Sequence, residues 1–96
     1  MAPRTDPLAS LGVLGDPTRR AIVRLLRRGA RPAGDIAEAF DLSWPTMSYH
    51  LRTLVDAGLL EARRNGNRVY YGLRRANLER AGFELLGLAR DGRSDD

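Results

Sequence analysis

Only three residues, Asp41, Leu42 and Ser43, separate two stretches of helical apolar spacing. Before them, Ile36, Ala37 and Phe40 predict a helix over 33–40 with these three side chains inward. After them, Met47, Leu51, Leu54 and Val55 stand at i, i+4, i+7 and i+8, predicting a helix over 44–57. That stripe must face the core together with Leu42 and Ile36. So short a link confines the second helix to a tight crossing of the first, which is a helix-turn-helix. Ser43 is a natural N-cap, and Pro45 falls in the first turn, where a missing N–H costs nothing. Gly58 marks the end.

The flanking sequence completes the pattern. Asp6-Pro7 and Asp16-Pro17 each pair a capping residue with a proline suited to the first helical position. They predict helices over 7–14, ended by Gly15, and over 17–28, ended by Gly29. The second places Ala21, Ile22, Leu25 and Leu26 inward and leaves Arg19, Arg20, Arg24, Arg27 and Arg28 on the remaining surface. After the 44–57 helix, two strand-like runs over 60–64 and 68–73 flank Asn65-Gly66, a strong hairpin signal. Val69 and Tyr71 are expected to face the core and Tyr70 the other side. A last helix over 76–90 carries Leu78, Ala81, Leu85, Leu88 and Ala89 on one stripe, widened by Phe83 and Leu86. Apolar over most of its circumference, it is expected to be buried on two sides, the second against another subunit. The fold class is therefore mainly α with a small β-hairpin, a winged helix-turn-helix. Residues 1–96 are expected to form one domain, with 1–5 and 92–96 as loose tails and 7–14 and 76–90 as the dimerisation segments.

With Met47 and Leu51 inward, Pro45, Ser48, Tyr49 and Arg52 lie on the open face, flanked by Trp44 and Thr46. The N-terminal residues of such a helix meet base edges in the major groove. Ser43, Thr46, Ser48, Tyr49 and Arg52 can hydrogen-bond there, and Trp44 and Pro45 can pack on a thymine methyl. Plainer roles stand beside these: Ser43 as a cap alone, Trp44 packed on the 33–40 helix, Tyr49 and Arg52 as solvated surface. Around the hairpin tip, Arg63, Arg64 and Arg68 suit phosphate or minor-groove contacts, or else keep an exposed edge soluble.

Net charge is +4 and all sixteen basic residues are arginine, which fits a nucleic-acid partner. The chain has no cysteine, which removes disulfides, thiolate chemistry and Cys-based zinc sites. His50 is the lone histidine, on the helix flank beside Thr46 and Thr53. Metal binding would need further His or Cys ligands, and catalysis a nucleophile and an orienting carboxylate, none of which can be assigned. His50 is therefore placed with the DNA-contacting residues or as flank packing, with no cofactor, no metal and no enzymatic activity expected. No apolar run approaches the ~20 residues of a membrane span. MAPRTDPLAS has no signal-peptide apolar core, so a cytoplasmic protein is expected.

LGDPTRRAIVRLLRRG resembles the opening of the ArsR family of bacterial transcription regulators. GDIAEAFDLSWPTMSYHLRTLVDAGLLEARRNGNRVYYGL resembles that family's helix-turn-helix and wing. The resemblance covers about 11–73, and the last helix fits the family's dimerisation helix. It implies a homodimeric repressor, in some members an autorepressor, on a pseudo-palindromic operator. Helix 44–57 would enter the major groove and the 60–73 wing would lie on flanking backbone. Leu8, Leu11, Leu14, Leu78, Phe83, Leu85, Leu86 and Ala89 would form the dimer interface. Many members sense metals, but those sites need cysteines, or histidines on the last helix, which here offers only Glu79, Glu84 and Asp91. The chain thus resembles the subgroup without metal ligands, whose effector would be a protein or another small ligand. Two further readings remain: a metal-responsive regulator with an atypical site, and a winged-helix module that binds protein.

Overall fold

The computed structural model describes residues 7–91. The expected tails and the Asp6 cap lie outside them. In chain order the elements are α1 (Pro7–Ser10), a 3₁₀ segment (Leu11–Gly15), α2 (Pro17–Leu26), β1 (Arg31–Pro32), α3 (Ala33–Phe40), α4 (Trp44–Asp56), β2 (Leu60–Asn65), β3 (Arg68–Leu73) and α5 (Arg75–Asp91).

The core forms where α2, α3 and α4 meet the base of the wing. Ile22, Ile36, Met47, Leu51, Leu54 and Leu59 are fully buried, and Leu26 and Leu60 nearly so. Ala37, Phe40, Leu42, Val55 and Tyr71 pack around them. The inward stripes predicted for α3 and α4 are thus the ones observed, and Val23 joins them from α2. Asp16 caps α2 by accepting the Arg19 N–H at 3.0 Å. In the tight link to α4, Asp41 takes a left-handed conformation at φ 53°. Asp tolerates that region better than most residues because its short side chain bonds locally.

Four details depart from the sequence expectation. The 7–14 helix is broken, because glycines at 12 and 15 weaken the α form and the chain tightens into a 3₁₀ turn. The α2 helix stops at Leu26, where the Arg27 and Gly29 N–H groups bond three residues back to Arg24 and Leu26. A third strand appears: Arg31 and Pro32 pair antiparallel with Tyr71 and Tyr70, giving the sheet order β1-β3-β2. Proline is tolerated there because β1 is an edge. Finally, Asn65 pairs with Arg68, so the two-residue hairpin loop is Gly66-Asn67, not one centred on Asn65-Gly66. Gly66 has φ +67° and Asn67 is not left-handed. Glycine at the first central position with this pattern is that of a II′ turn.

The end of α4 is closed by a Schellman motif. Gly58 N–H donates to the Val55 carbonyl at 2.9 Å, and Leu59 N–H to the Leu54 carbonyl at 3.0 Å. Asn77, at the start of α5, donates to the Gly58 carbonyl at 2.8 Å. Gly58 sits at φ +82°, and a Cβ there would meet only Asn77 Nδ2, at 3.7 Å. Substitution therefore carries backbone strain without a clash. Gly58→Ala should cost about 1–2 kcal/mol. In calorimetry this should lower Tm by roughly 4–8 °C per kcal/mol for a chain this size.

Candidate nucleic-acid interface

The start of α4 is built by Ser43. Its extended backbone (φ −62°, ψ 152°) points Oγ back at the first turn, where it accepts the Thr46 N–H at 3.4 Å. The hydroxyl also donates to Thr46 Oγ1 at 3.1 Å. Met47, Leu51 and Leu54 are held in the core, so the opposite side of α4 is outside. Trp44, Pro45, Thr46, Tyr49 and Arg52 are exposed there, with Ser48 half-buried among them. Trp44 is 49% exposed and borders a cavity of about 330 Å³ with Pro32, Arg68, Val69 and Tyr71. It thus stands between the start of α3 and the wing, with part of its ring available outside.

The hairpin does not bring its three arginines together. Arg64 pairs with Val69 on the strand face it shares with Ala62 and Tyr71. Those two line a cleft with Arg52, Val55 and Asp56 of α4. Arg64 therefore extends the wing surface on the side where α4 lies, and neither it nor Arg52 has a carboxylate partner among the described residues. Arg63 faces the other way and pairs with Glu61 at 3.0 Å. Arg68 lies 4.0 Å from Asp35 of α3 and 5.8 Å from the Tyr70 ring centroid. Such exposed ion pairs are weak and can exchange for phosphate.

His50 packs on the helix flank, the plainer of its two expected roles. Its side chain is only 12% exposed, and its ring turns toward the start of α2. Nδ1 lies 3.2 Å from Arg19 Nη1 and 4.0 Å from Asp16 Oδ2. Arg19, expected on the outer surface of α2, is drawn inward by this contact and by a 2.7 Å bond from its Nε to the Val13 carbonyl. Helical spacing alone could not reveal the cluster, although the Asp16-Pro17 cap marked one end of it. The Arg19 backbone N–H, aided by the Arg19 guanidinium charge, holds the Asp16 carboxyl below its ordinary value, with partial desolvation opposing.

In α5, which packs against α1, Ala81 is buried and Leu78 packs on the core. Leu14 also packs on the core, and Leu8 and Leu11 are half-buried. Phe83 is 72% exposed, and Leu85, Leu86 and Leu88 are each more than half exposed. Ala89 is exposed beside them. No cluster of three or more metal-ligating side chains occurs among the described residues. Among the described residues no helix is long and apolar enough to cross a membrane.

A family model described as a helix-turn-helix domain matches residues 14–63. The chain is 39% identical over 82 residues to the transcriptional repressor SdpR of Bacillus subtilis, covering 85% of this chain and 91% of that one. It is 46% identical over 63 residues to the arsenical resistance operon repressor of Staphylococcus xylosus, covering 66% of this chain and 61% of the relative. Among solved structures, a homodimeric winged helix-turn-helix DNA-binding domain from Mycobacterium bovis, a possible ArsR-family regulator, is 34% identical. It superposes with TM-score 0.71 over 94% of this chain and 83% of its own.

The lowered Asp16 value has a definite sign. A carboxylate stabilised in the folded state contributes fully above its unfolded value, 3.8, and loses that contribution as pH falls below it. Unfolding midpoints followed by circular dichroism from about pH 6 to pH 3 should therefore drop at the acid end. Asp16→Asn, which keeps a good capping oxygen, should be near neutral at pH 6 and flatten part of that drop.

Proposed function

The chain belongs to the ArsR family of winged helix-turn-helix transcriptional regulators, and we propose that it is a homodimeric DNA-binding repressor acting on a pseudo-palindromic operator. The observation that carries this reading is the exposed side of α4 with its capped first turn, together with Arg52 and Arg64, which both lack carboxylate partners among the described residues. The helix N-terminus adds a partial positive charge to that surface. In this reading Ser43, Trp44, Pro45, Thr46, Ser48, Tyr49 and Arg52 meet the major groove. Arg64 contacts flanking phosphate, joined by Arg63 and Arg68 once they leave Glu61 and Asp35.

The dimer is supported by α5. A radius of gyration of 15.2 Å exceeds the roughly 12–13 Å of a compact domain this long, as an outlying helix requires. Phe83, Leu85, Leu86 and Leu88 form an apolar face on that helix, and a second copy would bury it. The two α4 helices would then meet half-sites about one turn, ~34 Å, apart or a multiple of it. The relative from Staphylococcus xylosus is named for arsenical resistance, but this chain has no cysteine and one histidine. A protein or small-molecule signal suits it better than a thiophilic metal, which prefers thiolate ligands.

Fluorescence anisotropy on duplexes enriched from a random pool by the wild-type protein tests the reading. Arg52→Ala should weaken binding to the enriched duplex by roughly 1–3 kcal/mol, about fivefold to 150-fold. Arg64→Ala should weaken binding to every duplex and lower the salt slope by about 1. Unchanged affinity in both variants would sink the assignment. In sedimentation, Phe83→Glu should shift the protein toward monomer and weaken operator binding with it. A dimer unaffected by that charge would place the interface elsewhere.

A further inference from the structure

The geometry points to a strap, Arg19–His50, that sets the recognition helix against the dimer side of the molecule. It makes both residues positioning residues for operator recognition. This inference rests on the DNA-binding reading above. The Arg19 guanidinium reaches two elements at once: Nε donates to the Val13 carbonyl of the 3₁₀ segment at 2.7 Å, and Nη1 to His50 Nδ1 of α4 at 3.2 Å. Arginine can only donate, so Nδ1 must accept, and the neutral ring carries its proton on Nε2. Asp16 steadies the base of the strap by accepting the Arg19 N–H at 3.0 Å. Among the described residues this is the one side-chain hydrogen bond from α4 to an element preceding it.

The remaining α2–α4 contact is apolar, through Ile22, Leu26, Met47, Leu51 and Leu54. Apolar burial is non-directional and resists a small roll of the helix only weakly. Side-chain ends lie roughly 5–6 Å from a helix axis, so a roll of ~20° moves them about 2 Å. That exceeds the ~0.5 Å tolerance of a working polar site. A directed bond at position 50 opposes such a roll, and Tyr49, Ser48 and Arg52 lie beside it on the same helix. The other end of the strap holds the segment leading to α1, which packs on α5. One guanidinium thus joins the proposed dimer side to the reading helix, and it should fix the distance between the two α4 helices as well as their roll.

The test uses the full chain and a duplex of roughly 30 base pairs, long enough for two half-sites one turn apart, enriched from a random pool. Controls are a scrambled duplex and one with a single base pair inserted between the half-sites. His50→Leu keeps apolar bulk without an acceptor, and His50→Asn places an oxygen near the position of Nδ1. Removing the bond should cost His50→Leu about fivefold to tenfold on the enriched duplex. Scrambled-duplex affinity and salt slope should hold, and discrimination against the inserted base pair should fall. His50→Asn should retain most of the wild-type discrimination. Arg19→Met should match His50→Leu, and the double variant should lose no more than either. Intact spacing discrimination in His50→Leu and Arg19→Met would overturn the strap. So would equal losses on all three duplexes, or an Asn variant no better than Leu. A wild-type chain that enriches no duplex would overturn the DNA-binding reading and the strap together, whereas the variant results bear on the strap alone.

Discussion

Complete burial of Met47, Leu51 and Leu54 fixes which side of α4 faces outward, and the rest of the molecule follows from it. Each of these side chains contributes about 1.5–3 kcal/mol on burial, and removing one would add the cost of a cavity. No polar residue of α4 can replace them without desolvation, so Tyr49, Arg52 and the first turn are committed to solvent. The same core receives Ile36 from α3 and Leu59 and Leu60 from the base of the wing. Helix-turn-helix and wing are consequently gathered around a single apolar centre, and the surface they share is where a duplex would lie.

Features with a local physical cause were legible in the sequence. Ser43 and Asp16 cap the helices they were expected to cap because an Oγ or carboxylate at that point has a free N–H within reach. The spacing of Met47, Leu51 and Leu54 gave the buried face because helical periodicity is a property of the chain alone. What stayed hidden depends on distant partners. Arg31-Pro32 is a strand only because β3 lies alongside, and two residues carry no period. The direction of His50 depends on where α2 places Arg19. The outward turn of Leu85 and Leu88 depends on which sector of α5 the small core can cover, and Ala81 and Leu78 fill it. The hairpin tip slipped by one residue because Gly66 satisfies the first central position of a II′ turn without help from Asn65.

The polar contacts divide by function. Those at helix ends, from Ser43, Asp16 and Asn77, satisfy backbone groups that would otherwise be unpaired. The ion pairs of Arg63 and Arg68 lie on exposed side chains and hold little energy, which leaves these arginines available to a polyanion. The Arg19–His50 contact is different in kind: it is half-buried, directed, and spans elements far apart in sequence.

In the proposed complex, α4 and the α4 side of the wing form the DNA surface. The most direct measurement is a backbone-amide NMR titration of the labelled protein with the enriched duplex. The account predicts that the largest shift changes fall on Thr46, Ser48, Tyr49 and Arg52 and on Arg64 at the wing, with Phe83 to Leu88 little affected. Changes centred on α5, or on the reverse wing face at Glu61 and Tyr70 with α4 unmoved, would contradict it.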